Sequence, residues 1–105
     1  MQVYTQLLTF TSSAVQLTGT NPLACKIYAE PLLSNTHTCY VGTSTVTNDG
    51  SGTGVIQELP KGGQVSQQMP NHFCFGCGGL NKIDTTQFYF HGTSGEKIKV
   101  TYYVA

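Results

Sequence analysis

The end of the chain, residues 83–104, carries the sequence that decides the fold: IDTTQFYFHGTSGEKIKVTYYV. In its last arm Ile98, Val100 and Tyr102 alternate with polar residues. One apolar and one polar face with a period of two are typical of a half-buried strand. The aromatic arm at 88–90 also favours a strand. Because Gly-Thr-Ser-Gly separates the arms, the stretch predicts an antiparallel hairpin that packs its apolar face on a second sheet.

Short apolar or alternating segments, separated by turn residues, precede this stretch. The segments that predict strands are 1–10, 14–17, 23–33, 39–42 and 55–59. We expect a hairpin over 32–41 and a turn at the Asn-Asp-Gly sequence of 48–50. No stretch places apolar residues at helical spacing over three turns. The spacing therefore predicts one all-β domain over residues 1–105, an antiparallel β-sandwich or jelly-roll-like fold of about seven or eight strands.

Charge is scarce along the chain, with five basic and five acidic residues among 105 and a net charge of zero. Every basic residue is Lys, so there is neither a basic stripe nor Arg for bidentate phosphate contacts, and we expect no nucleic-acid partner. No apolar run approaches the roughly 20 residues needed to span a membrane, and no secretory signal is indicated. We therefore expect no membrane partner. A surface of hydroxyl and amide groups suits a protein that packs against other proteins.

The sequence with most chemical content is Cys74-Phe75-Gly76-Cys77-Gly78. Two Cys separated by two residues and followed by Gly have the spacing of half a zinc knuckle. His37 and Cys39 lie two apart on a predicted strand and so share a face. The sequence therefore suggests His37, Cys39, Cys74 and Cys77 as a candidate structural zinc site, and it predicts no other cofactor.

Two other interpretations of the Cys residues stay open. Cys39 could form a disulfide with Cys74 or Cys77, a choice that spacing does not settle. Alternatively the four Cys, with Cys25 the clearest case, are small buried residues of the core or loops. A thioredoxin-like redox role is not indicated, because no helix is predicted after Cys77.

Catalytic patterns are not found in the sequence. A Ser or Cys nucleophile needs a base and an orienting acid, whereas His37, His72 and His91 fall in loops or at strand ends without a defensible acidic partner. The Gly-rich segment 50–54 lacks the Lys-Ser/Thr of a phosphate loop. We therefore expect no enzymatic activity.

Aromatic residues concentrate in the last third of the chain. They are Phe73, Phe75, Phe88, Tyr89, Phe90, Tyr102 and Tyr103. Such a group is typical either of a core continued into a subunit interface or of a sugar-stacking surface. We favour the interface.

Two parts of the chain resemble small structural proteins of tailed bacteriophages. The first part comprises residues 21–30 and 39–46, and the second comprises 81–84 and 88–102. In those proteins a strand like the first pairs with a Tyr-Val-Gly strand, a loop follows, and the chain ends in Gly-x-x-Gly and Val-Thr-Tyr. Residues 72–79 depart from that pattern, and we expect them to form a loop insertion.

The resemblance implies a non-enzymatic virion protein with a β-sandwich or jelly roll. It implies a capsid decoration or cement protein, a homotrimer that binds the major capsid protein and stabilises the head by bridging its subunits. The virion would assemble in the cytoplasm of the host bacterium. We expect residues 1–10 to be the adaptable part, because a terminal strand can add to a neighbour's sheet edge. The alternatives are a tail or fibre-base component and a host-glycan-binding module of the virion.

Overall fold

The computed structural model describes residues 2–17, 23–61, 72–76 and 83–104. These residues form strands, turns and one short 3-10 helix, Thr85–Gln87. The strands are β1 (Gln2–Thr9), β2 (Val15–Gln16), β3 (Leu23–Ala24), β4 (Lys26–Pro31), β5 (Cys39–Gly42), β6 (Val55–Leu59), β7 (Phe73–Phe75), β8 (Ile83–Asp84), β9 (Tyr89–His91) and β10 (Lys97–Val104). In this part of the chain no helix has the length and apolar character needed to cross a membrane.

Two four-stranded antiparallel sheets make up the sandwich. The first sheet has the order β1-β10-β4-β7 and the second has the order β2-β9-β5-β6, while β3 and β8 form a separate two-stranded ribbon. The predicted all-β sandwich is confirmed. The described residues contain more strands than predicted. Residues 23–33, predicted as one strand, form β3 and β4, and β7 and β8 lie where the sequence predicted no separate strand.

The core lies between the sheets and includes the predicted apolar face of β10. Ile98 and Val100 are fully buried and Tyr102 is 2% exposed, whereas Lys99 is exposed. Phe90, from the second sheet, is fully buried in the same cluster. Each such side chain contributes about 1.5–3 kcal/mol by leaving water, so the alternation in β10 stabilises the sandwich directly.

The hairpin predicted over residues 83–104 is wrong. β9 lies in the second sheet and β10 in the first, so the two arms belong to different sheets. The loop between them bonds to the end of β1 instead: the Phe10 N–H donates to the Glu96 carbonyl at 2.8 Å, and the Gly95 N–H donates to the Phe10 carbonyl at 3.0 Å. An alternating pattern reports which face is buried and not which strand is the neighbour.

The hairpin predicted over residues 32–41 is also wrong. β4 ends at Pro31 between β10 and β7, whereas β5 lies between β9 and β6. The segment between β4 and β5 therefore crosses from one sheet to the other. Backbone hydrogen bonds from Leu32 to Lys97 and from Asn35 back to Leu32 begin this crossing.

Residues 73–75 are a strand and not part of a loop insertion. In β7, Phe73 pairs with Ala29 and Phe75 pairs with Ile27 of β4. The aromatic residues provide the β propensity, which the neighbouring glycines concealed in the sequence. Of the other residues of the predicted insertion, 77–79 lie outside the described part of the chain.

The loop between β5 and β6 contains the predicted turn. Gly50 has φ +77°, a conformation that favours glycine, and the Asp49 carboxylate accepts hydrogen bonds from the hydroxyl and the N–H of Ser51. Those bonds, the hydroxyl's first, lower the pKa of Asp49 to about 2. β5 and β6 are paired within the second sheet, so this loop closes a true β-hairpin.

Candidate functional site

The residues suggested as zinc ligands have different surroundings in the structure. The His37 side chain is 61% exposed and lies 3.4 Å from a Glu96 oxygen, whereas Cys39 is only 1% exposed in the core. Cys74 is disulfide-bonded, and Cys77 lies outside the described residues. In the described part of the chain, no group of three or more His, Cys, Asp or Glu side chains is arranged to hold a metal. The structure therefore does not bring His37, Cys39 and Cys74 together as ligands.

The thiol of Cys39 is free, so the disulfide suggested between Cys39 and Cys74 or Cys77 is wrong. Burial, and secondarily the charge of Glu96, raises the pKa of Cys39 to about 12. A thiol in this environment stays neutral and unreactive at neutral pH. Cys25 is also free, and its half-buried Sγ–H donates to the Tyr103 carbonyl at 3.3 Å. Both residues act as small packing side chains.

His37 takes part in an anchoring network and not in a catalytic triad. Its Nδ1 lies 2.9 Å from the Thr36 hydroxyl and 3.4 Å from the Glu96 carboxylate. A triad needs the nucleophile on one ring nitrogen and the acid on the other, whereas here both neighbours contact the same nitrogen. The Glu96 carboxylate also accepts the N–H of Thr36 at 2.7 Å and the N–H of His37 at 3.2 Å. The network ties the loop before β5 to the loop before β10.

The outer edge of β1 is the first surface that could bind a partner. β1 is the end strand of the first sheet and pairs with β10 along its whole length without a register shift. In the described residues no strand covers its other edge. Val3 and Leu7 are 57% and 55% exposed on this strand, which contains no charged residue and no Pro. β1 therefore lacks the charges, bulges and prolines with which sheets usually protect their edges.

The second surface is a groove of about 370 Å³, which we call the aromatic groove. The described residues lining it are Gln16, Thr43, Ser44, Ile56, Phe75, Thr86, Gln87, Phe88 and Tyr89. Among these, Phe75 is 45% exposed although it packs against Phe88. The groove thus combines an accessible aromatic ring with uncharged polar side chains.

Of the groove residues, sequence reasoning singled out the aromatic ones and missed the rest. Phe75, Phe88 and Tyr89 belong to the aromatic group noted in the sequence, but Gln16 and Thr43 come from distant segments with no distinguishing motif. The second sheet brings these segments together, because β2 and β5 both pair with β9. A sequence signal for them would require knowledge of that topology.

No protein-family model, curated protein or solved structure matches the chain. The described residues define an antiparallel β-sandwich protein with a mixed aromatic and polar groove and with an edge strand, β1, that no other described strand covers.

Proposed function

We propose that this chain is a non-enzymatic structural protein of a tailed-phage virion, a capsid decoration or cement protein. In this role it binds the major capsid protein as a homotrimer and stabilises the head by bridging capsid subunits. The resemblance of its sequence to small phage structural proteins supports the proposal. The structural observation that carries it is the outer edge of β1, Gln2–Thr9, which no other strand of the described residues covers.

An edge strand presents a row of backbone N–H and C=O groups that another strand can pair with. On β1 this row is accompanied by the exposed apolar side chains of Val3 and Leu7. A partner strand would gain main-chain hydrogen bonds and cover both side chains at once. Because nothing in β1 opposes such pairing, its composition fits a protein that works in a permanently assembled state.

Several copies of a weak contact would together give stable binding to the capsid. A homotrimer presents the β1 edge three times, so binding at a second and third capsid subunit becomes intramolecular after the first. A head that carries many such trimers then resists outward pressure through the sum of weak contacts. The hydroxyl-rich surface, with few charges and a net charge of zero, permits this dense packing.

The direct test is binding to purified phage heads that lack the protein. Leu7→Lys places a charge on the β1 edge and should reduce binding at least about tenfold, because a Lys opposes strand addition. Leu33→Lys is the matched control, since Leu33 is 80% exposed in the crossing between β4 and β5. The control should bind as the unchanged protein does. Circular dichroism of both variants checks that the sandwich is intact.

Equal binding by Leu7→Lys and the unchanged protein would contradict docking through β1. The rival structural role is a tail or fibre-base component, which electron microscopy of labelled particles would distinguish. Label over the whole head supports the decoration role, whereas label at the tail alone supports the rival.

A further inference from the structure

The most exposed aromatic ring that lines the aromatic groove belongs to Phe75. The Phe75 ring stands edge-on to Phe88, with 5.2 Å between centroids and an interplanar angle of 61°. It also stacks with Phe73 at 6.3 Å. Because Phe73 is buried and β7 is paired with β4, the core side of the Phe75 ring is held in place. Nearly half of Phe75 nevertheless remains exposed. The groove therefore offers a preformed aromatic surface to a ligand.

Amides and hydroxyls surround this ring. The Gln16 Nε2 donates to the Thr86 carbonyl at 2.9 Å, which holds the Gln16 side chain across the groove. Asp84 accepts both the N–H and the hydroxyl of Thr86, at 2.9 and 2.6 Å, and so fixes the short helical turn that presents Gln87. Gln87 is exposed, and Tyr89 lies half-buried beside it. Several neutral hydrogen-bonding groups thus converge on one opening.

None of the described residues lining the groove is Asp, Glu, Lys or His. The volume of about 370 Å³ lies in the range of small-ligand sites and accommodates about one or two sugar rings. A sugar ring presents an apolar C–H face, which packs on an aromatic ring, and a rim of hydroxyls, which donate to and accept from amides and hydroxyls. Phosphates, carboxylated sugars and charged peptides would find no counter-charge on these side chains.

We propose that the aromatic groove binds a neutral carbohydrate, with Phe75 stacking on one sugar ring and the side chains of Gln16 and Gln87 bonding its hydroxyls. This site is separate from the β1 edge: the strands that contribute Gln16 and Phe75 are β2 and β7, not β1. Carbohydrate binding therefore does not depend on the decoration role. Leu7→Lys, which weakens docking to heads, leaves this binding unchanged.

The absence of Trp from the chain allows a clean optical test. Phe75→Trp keeps an aromatic ring in the groove and introduces the only Trp of the chain, which can be excited at wavelengths that the six Tyr do not absorb. An array of neutral and acidic oligosaccharides first selects the probes, which are then titrated against Phe75→Trp. We expect a saturable change in emission with neutral oligosaccharides and none with acidic ones.

Two further variants test the contacts. Phe75→Leu keeps an apolar side chain but removes the ring, and should weaken binding about tenfold, the loss expected for one stacking contact. Gln87→Ala removes one exposed amide and should weaken binding a few-fold. Leu33→Ala, a matched exposed position elsewhere, should bind as the unchanged protein does.

The proposal is overturned if the array and the Phe75→Trp titration detect no neutral carbohydrate, if acidic oligosaccharides bind more tightly, or if Phe75→Leu binds as well as the unchanged protein. If Phe75→Leu does not fold, the Gln87→Ala titration and the side-chain amide NMR signals of Gln16 and Gln87 in the unchanged protein decide. Shifts of those signals with the neutral probe support the site. Unshifted signals contradict it.

Discussion

The side-chain amide of Asn35 forms two hydrogen bonds with the backbone of Lys97. Its Nδ2 donates to the Lys97 carbonyl at 2.6 Å, and its Oδ1 accepts the Lys97 N–H at 3.2 Å. Asn35 is only 6% exposed and lies in the segment that crosses from the first sheet to the second. Because Lys97 is the first residue of β10, this pairing fixes the crossing to a central strand of the first sheet.

Asn35→Ala should destabilise the fold by about 1–3 kcal/mol, because the Lys97 N–H loses the Asn35 oxygen and the Lys97 carbonyl keeps only the longer bond from the Leu32 N–H. Ser34→Ala, an exposed change in the same segment, is the matched control and should have little effect. Urea unfolding followed by circular dichroism measures both free energies of unfolding. Equal stability of the two variants would contradict a structural role for the Asn35 pairing.

Glu96 should make the protein sensitive to acid. Burial alone would raise the pKa of Glu96, but hydrogen bonds from Thr36 and His37 outweigh burial and hold this pKa below its usual value of 4.5. The unfolded chain therefore takes up the proton first, and the free energy of unfolding should fall as pH drops below about 4.5.

Glu96→Gln removes this titrating group. The variant should therefore be less stable than the unchanged protein at neutral pH, and its stability should depend less on pH in the acid range. Glu58→Gln, at an exposed position on β6, is the control. Thermal unfolding at a series of pH values provides the comparison. If the stability of Glu96→Gln falls with acid pH as that of the unchanged protein does, the contacts of Glu96 with Thr36 and His37 do not determine the pH dependence of stability.

Cys39 should resist thiol reagents in the folded protein. With its pKa raised to about 12 by burial, it should react with iodoacetamide at pH 8 about a hundredfold or more slowly than in urea. Mass spectrometry of peptides from the labelled protein follows Cys39 and Cys25 separately, and Cys39→Ser confirms the assignment. Labelling of Cys39 at the same rate in the folded and unfolded protein would place its thiol outside the core.

Gly92 should not tolerate a larger residue. A Cβ at this position would lie 2.8 Å from the Phe10 ring and 2.9 Å from the Cys39 Cβ. Gly92→Ala should therefore destabilise the fold by about 1–3 kcal/mol through overpacking. Ser94→Ala, in the exposed part of the same loop, should be close to neutral. Urea unfolding of both variants tests this. Equal free energies of unfolding would mean that the core residues around Gly92 shift to accommodate the added methyl group.

The sequence predicted the strands better than their partners. The alternation around Ile98 and Val100 identified the buried face of β10, because a period of two depends on a strand and one adjoining core. The same pattern could not distinguish a hairpin from two strands that face each other across the sandwich. That choice depends on Phe10, whose backbone bonds the loop before β10 and which lies more than 80 residues away in sequence.

For the aromatic groove too, the sequence identified some of the residues and missed others. The sequence marked Phe75 and its aromatic neighbours, since aromatic residues stand out in composition. It could not mark Gln16, whose place in the groove depends on a hydrogen bond to Thr86 across 70 positions. The Cys residues were misleading as zinc ligands, and the disulfide interpretation holds for Cys74 but not for Cys39. Their spacing suggested ligands, but the chemistry of Cys39 is decided by its burial, which spacing does not encode.

The proposed decoration role locates this chain on the phage head. Quantitative mass spectrometry of purified particles, with heads and tails separated, measures in which fraction the chain lies and in how many copies. We expect many copies in the head fraction, in a fixed ratio to the major capsid protein and retained after washing in high salt. A particle without the chain, or with a few copies confined to the tail fraction, would rule out this role.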